Sequence, residues 1–166
     1  GQEKTAAIAD DLKDLGFHYA TASGLSIGMG DFEPIDGMQA LLNEGQERAT
    51  AISHQYEEGF ITDDERHRLT VDNWTKIETK VQDSLAEQMV GQNSSMAIAI
   101  NSGARGNISQ LNNAVGMLGV LQDAAGNVIE LPIKSGYIEG LSPLEYFTGT
   151  RGTRKALIDI ALKTAD

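Results

Sequence analysis

At 166 residues, with 40% hydrophobic and 22% charged side chains, the chain has the composition of a folded domain with a core of its own. It has no cysteine, which excludes disulfides and thiolate metal sites and permits a reducing cytoplasm. The net charge of −11 weighs against a dedicated nucleic-acid binder, and no apolar run approaches the ~18 residues of a membrane span.

The acidity is unevenly spread. Residues 1–92 hold 7 Lys/Arg and 18 Asp/Glu, whereas residues 93–166 hold 6 of each. The second half can therefore approach a polyanion without strong repulsion. The start, GQEKTAAIADD, has neither an initiator Met nor a basic-then-apolar signal pattern.

In chain order, the first predicted element is a helix over 3–15, with Ala6, Ile8, Ala9, Leu12 and Leu15 as its apolar set and Gly16 as its stop. Residues 17–32, rich in Gly and Ser with Phe17, Tyr19, Leu25, Ile27, Met29 and Phe32 interleaved, read as a short helix or turn packed on a core, then a loop. A clearer helix follows over 36–58: Met38, Leu41, Leu42, Gly45, Ala49, Ile52 and Tyr56 recur at helical steps, and Gly59 ends it. Thr62-Asp63-Asp64-Glu65 is a capping box whose acids suit the positive end of a helix dipole. It opens a long helix from about 63 to 90, striped by Leu69, Trp74, Ile77, Val81, Leu85 and Met89. The connection is so short that the two helices must fold back as an antiparallel pair with Gly59-Phe60-Ile61 at the tip.

After Gly91-Gln92, Asn93 is the expected cap of a short helix over 94–100, and Asn107 or Ser109 caps another through Met117. Residues 119–133 read as a short β-hairpin-like loop, with Asp123–Asn127 as the turn and Val128, Ile129, Leu131 and Ile133 strand-like. Ser142, Pro143 and Glu145 then give a complete helix start. That last helix runs to Thr164-Ala165-Asp166 with no stop residue, as expected of a segment cut from a longer protein. The fold class is therefore mainly α: an antiparallel helical hairpin, smaller helices, a β-hairpin-like loop and a truncated C-terminal helix. The expected organisation is a lead-in over 1–35, the hairpin over 36–92, a connecting segment over 93–140 and the final helix over 141–166.

Two motifs carry chemistry. In SGARGN (102–107), glycines let the backbone approach a ligand, and Arg105 between them can clamp a phosphate with two N–H groups. The plainer reading is a tight turn whose Arg packs or makes a surface salt bridge. In TGTRGTRKA (148–156), Gly149 and Gly152 each cost a helix about 1 kcal/mol relative to Ala, which marks a bend point or hinge. Arg151, Arg154 and Lys155 make that stretch basic. His18, His54 and His67 have no metal spacing, and no D-x-D-x-D loop, phosphate loop or Ser-His-Asp set is present. From these features alone, an acidic helical-hairpin module that binds a protein partner, or a small phosphate-handling enzyme built on SGARG, are both open readings.

Six ordered blocks go further. GFHYATASGLSIGMGDF, GFITDDERHRLTVDNW, NSGARGNISQ, GNVIELPI, EGLSPLEYF and GTRKALIDIALKTAD resemble, over nearly the whole chain, the beta-prime (largest catalytic) subunit of bacterial DNA-directed RNA polymerase. The resemblance implies transcription by template-directed nucleotidyl transfer, in the cytoplasm at the nucleoid. It places the rim helices of the secondary channel, in the funnel domain, at 36–92. The channel lining and the loop that braces the bridge helix fall at 93–140, and the start of the bridge helix at 141–166. By the same resemblance Arg105 lies near the incoming triphosphate, Arg154 and Lys155 near nucleic acid, and Thr164 and Ala165 under the template base.

The implied partners are the beta, alpha, omega and sigma subunits, template DNA, RNA, nucleoside triphosphates and channel regulators such as transcript-cleavage factors, with no membrane. The family's triple-Asp loop is absent, so the catalytic Mg²⁺ ions and any Zn²⁺ belong to other parts of the parent, and this chain alone is expected to be inactive. The sequence departs from the family at Asn112 and Asn113 (usually Arg and Gln), Leu118 (Arg), Gly149 (Ser), Arg151 (His) and Ala156 (Gly).

Overall fold

In the computed structural model, residues 1–90, 92–123 and 125–162 are described. They form helices α1 (Gln2–Ser23), α2 (Met38–Glu57), α3 (Asp63–Met89), α4 (Ser95–Asn101), α5 (Ile108–Val115) and α6 (Pro143–Leu157), with a 3₁₀ turn at Met29–Asp31 and a π-helical turn at Ile158–Leu162. The chain is mainly helical. Among the described residues β pairing is limited to two isolated antiparallel bridges, Gly119 with Ile133 and Gln122 with Val128.

The first helix is longer than the sequence predicts. It runs through Gly16 and ends where Gly24 takes a left-handed conformation (φ 61°). One interior glycine costs about 1 kcal/mol, which the helical residues on both sides absorb. None of α1 is buried, and Phe17, Tyr19, Leu25, Ile27 and Met29 all remain exposed. The expected packing of 17–32 on a core is thus corrected; of its apolar residues only Phe32 reaches it.

The two long helices run antiparallel. Tyr56 stacks under Arg66 at 5.4 Å, Glu44 meets Lys80 at 2.6 Å, and the Pro34 carbonyl accepts from Gln88 at 3.1 Å. The turn is a Schellman motif: Phe60 N–H donates to Gln55 and Gly59 N–H to Tyr56, both at 2.9 Å, with Gly59 at φ +79°. Thr62 accepts the Glu65 N–H at 3.3 Å as predicted. The reciprocal half of that capping box does not form, because the Glu65 carboxylate turns to Arg68 one helical turn on.

The core lies along α3. Trp74, Ile77, Val81, Leu85 and Met89 are buried with Ile35, Ala97, Leu111 and Met117, and Met38, Leu41, Leu42 and Ala49 of α2 close over them. Helix α4 is capped by Ser94, one residue later than predicted, and α5 by Asn107, whose Oδ1 accepts the Gln110 N–H at 2.8 Å. The free carbonyls at the end of α5 are satisfied from a distance: Tyr137 N–H donates to Asn113 at 3.0 Å and Ile138 N–H to Ala114 at 2.9 Å.

The loop over 119–133 sits between α3 and α6. Its turn is built by Asp123, whose Oδ1 accepts the N–H groups of Ala125 and Asn127 at 2.9 Å each. Its return side is tied to the hairpin by Glu130, which bonds Arg66 and meets His67. Lys134 adds a second tie, reaching Gln46 at 2.5 Å across the face of Trp74. On α6 the capping box is complete. Ser142 Oγ accepts the Glu145 N–H at 3.3 Å and Glu145 accepts the Ser142 N–H at 2.9 Å.

Candidate functional site

Arg105 sits on the connection between α4 and α5, flanked by Gly103 (φ 71°) and Gly106 (φ 79°). Its own N–H donates to Ala99 at 3.2 Å, which folds the loop back against the end of α4. The Arg105 residue is exposed, and among the described residues its guanidinium makes no hydrogen bond or ion pair. The surface salt bridge of the plainer reading is therefore not formed. A fixed backbone carrying an unpaired guanidinium is suited to a bidentate contact with an oxyanion.

The other basic residues lie on α6, and no hydrogen bond or ion pair joins them to Arg105 among the described residues. Arg151 lies over the Phe147 ring at 5.6 Å. Arg154 is exposed. Lys155 is half-buried and donates to Gln122 Oε1 at 2.8 Å, so this cation is spent on the 119–133 loop. Thr164 and Ala165 lie outside the described residues.

Gly149 and Gly152 are both inside the continuous helix α6. Each faces the loop: Ile133 Cδ1 lies 3.5 Å from the position of a Cβ on Gly149, and Leu121 Cδ1 3.5 Å from one on Gly152. The irregular turn comes later, at Ile158–Leu162. Between α6 and the loop runs an open groove of about 550 Å³ lined by Leu118, Leu121, Tyr137, Tyr146, Arg154 and Leu157. The departures Leu118 and Ala156 both line it, which makes its wall apolar. Asn112 is fully buried; its Nδ2 donates to the Met117 carbonyl at 2.9 Å, and among the described residues its Oδ1 has no partner.

Two carboxylates that sequence reasoning left out of the site hold this region together. Glu145 does more than cap α6: its oxygens also accept from the N–H groups of Lys134 (3.1 Å) and Ser135 (3.3 Å) and from the Ser135 hydroxyl. Burial pushes its carboxyl up, but the donors from Ser142 and Ser135 outweigh that and hold it below the usual carboxylate range. Glu78 of α3 faces the Val120 N–H of the loop, which favours its charged form, but there burial wins and raises its carboxyl. Neither role has a spacing signature that could have been found beforehand.

Among the described residues no group of three or more His, Cys, Asp or Glu could hold a metal ion. Among the same residues no helix is long and apolar enough to cross a membrane.

No family model matches the chain. Curated proteins do, from end to end. It is 46% identical over 166 residues, all of this chain, to the DNA-directed RNA polymerase subunit beta' of Roseiflexus sp. (strain RS-1). The chain is a beta-prime homologue. The subunit beta' of Geobacillus kaustophilus (strain HTA426) is 42% identical over 163 residues, 98% of this chain. That of Parasynechococcus marenigrum (strain WH8102) is 41% identical over 169 residues, covering the whole chain. The chain spans only about a tenth of these beta-prime relatives: 11%, 14% and 12% of their lengths.

Proposed function

We propose that this beta-prime segment works in DNA-directed RNA synthesis, lining the route by which nucleoside triphosphates reach the active centre and presenting a helix to the template. The observation that carries the reading is the end-to-end similarity to beta-prime subunits at 41–46% identity. The parts take these roles. The α2–α3 hairpin is the channel rim, and its tip, with Phe60 exposed beside Glu57, Glu58, Asp63 and Asp64, is where regulators such as transcript-cleavage factors dock. Arg105 contacts the triphosphate of the incoming nucleotide. Helix α6 is the start of the bridge helix, with Arg154 and Lys155 near nucleic acid, Thr164 and Ala165 beneath the template base, and Gly149 and Gly152 as its hinge.

The chemistry assigned to these residues is binding and orientation. An arginine fork neutralises phosphate charge and holds the nucleotide in line, which lowers the entropic part of the barrier without any proton transfer. The Mg²⁺ ions that polarise the reacting oxygens belong to the rest of the enzyme, as does any Zn²⁺. The beta, alpha, omega and sigma subunits, DNA and RNA complete the working assembly in the bacterial cytoplasm, and the 166-residue chain alone incorporates no nucleotide.

Replacing Arg105 in the assembled polymerase tests this. Loss of a charge-assisted bond contributes about 1.5–3 kcal/mol, so Arg105→Ala is expected to raise KM for triphosphates about tenfold or more. An unchanged KM overturns the assignment of Arg105.

A further inference from the structure

Glu78 lies one residue past the core side chain Ile77 and is half-buried. Its carboxylate packs so closely on Gly119 that a Cβ there would overlap Oε2 and the carboxyl carbon and press on Oε1 at 3.2 Å. Gly119 also stands at φ +73°, so only glycine meets both conditions without strain. The same carboxylate faces the Val120 N–H, and Gln82, one turn on, donates to Glu78 Oε1 at 3.3 Å. Among the described residues no cation pairs with Glu78. A carboxylate half-removed from water without a cation is costly, and a glutamine would accept the same N–H at lower cost.

The other side of the loop carries α6. Gly119 exchanges two backbone hydrogen bonds with Ile133, at 3.0 and 2.9 Å, and Ile133 packs under Gly149. Leu121 packs under Gly152, and Gln122 holds Lys155. Glu130 and Lys134 tie the return side of the loop to the hairpin, whereas the outgoing side, 119–122, takes its polar grip from Glu78.

We propose that Glu78 is a positioning residue: by gripping Gly119 and Val120 it seats the 119–133 loop on α3 and so fixes the position of α6. The hairpin and α6 are thereby coupled through packed, hydrogen-bonded contacts. The consequence for RNA synthesis rests on the reading of α6 proposed above.

Nitroxide labels on exposed Thr75 of α3 and exposed Thr153 of α6 report the geometry in the 166-residue chain by pulsed electron paramagnetic resonance. Glu78→Ala is expected to shift or broaden the α3–α6 distance distribution, whereas Glu78→Gln, which keeps an acceptor for Val120, retains the original one. Gly119→Ala displaces the carboxylate from the loop side and gives the same shift, so the test stands even if Glu78→Ala folds poorly. In the assembled polymerase Glu78→Ala lowers the maximal rate of nucleotide addition about fivefold with KM unchanged, and Glu78→Gln restores the rate.

An unaltered distance distribution in Glu78→Ala and Gly119→Ala overturns the inference, whatever the chain does in transcription. An unaltered maximal rate in an enzyme whose KM responds to Arg105→Ala overturns it too. A shifted distance with synthesis insensitive to both Arg105→Ala and Glu78→Ala supports the Glu78 geometry and removes the roles proposed for Arg105 and α6 instead.

Discussion

Asn73 donates its side-chain amide to the carbonyl of Gly45 at 2.9 Å in the buried seam between α2 and α3. The bond is possible because α2 comes so near at Gly45 that a Cβ there would lie 2.9 Å from both Trp74 Cζ3 and Ile77 Cγ1.

Gly45→Ala therefore sets helix propensity against packing. Propensity favours Ala by about 1 kcal/mol, while forcing a methyl into a closed seam costs about 1–3 kcal/mol. Both crowding atoms belong to buried side chains that cannot swing away, so packing wins. The expected result is a lower melting temperature, by about 2–4 °C per kcal/mol lost. A more stable Gly45→Ala protein would mean that the helices do not approach this closely.

Glu145 and Glu78 shift in opposite directions, and so do their pH signatures. The Glu145 carboxyl is depressed in the folded chain, so its contribution is present above the unfolded value of about 4.3 and is lost as pH falls through the lower folded value. In acid melts the original chain is expected to lose stability more steeply than Glu145→Gln. Glu78 is raised, so its contribution is greatest below the unfolded value and fades as pH rises through the folded one. Glu78→Gln should accordingly be no less stable than the original at about pH 7. Parallel acid slopes for Glu145→Gln and the original would contradict the depressed carboxyl.

Gly149 and Gly152 lie in regular helix, and a Cβ at either would meet only ordinary contacts of 3.5 Å with Ile133 and Leu121. Gly149→Ala and Gly152→Ala should each stabilise α6, by up to about 1 kcal/mol. If α6 bends at these glycines during synthesis, the same variants in assembled polymerase elongate more slowly despite higher stability. Faster melting with normal elongation would defeat both halves of the argument.

Arg66 joins the hairpin to the loop by bonding Glu130 while also holding Asp63 and covering the Tyr56 ring. Arg66→Met keeps much of the stem and loses the fork. It should loosen the loop's return side, seen as faster amide exchange at Ile129 and Ile133, whose N–H groups bond across the loop to Leu121 and Gly119. Lys80→Met at the exposed Glu44 pair is the control and should change stability by less than about 1 kcal/mol.

Much of this was legible in the sequence wherever the cause is local. Caps at Thr62, Asn107 and Ser142 rest on contacts three residues apart, and the stripe from Trp74 to Met89 is a consequence of helical period. The family resemblance likewise lies in ordered blocks of sequence. Even local rules failed where two of them competed: Glu65 had both a cap and Arg68 within reach, and Gly16 could stop α1 or be carried through it.

What only the tertiary structure decided is which distant groups meet. That Glu78 lies against Gly119 and Val120, that Lys155 is spent on Gln122 while Arg105 is unpaired among the described residues, and that Glu145 reaches back to Lys134 and Ser135 follow from how helices and loop pack. Such pairings leave no period or spacing in the chain, because burial and hydrogen bonding select partners by position in space. The sequence determined the helices, their caps and the kinship; the packing decided which charges are held and which remain free to bind.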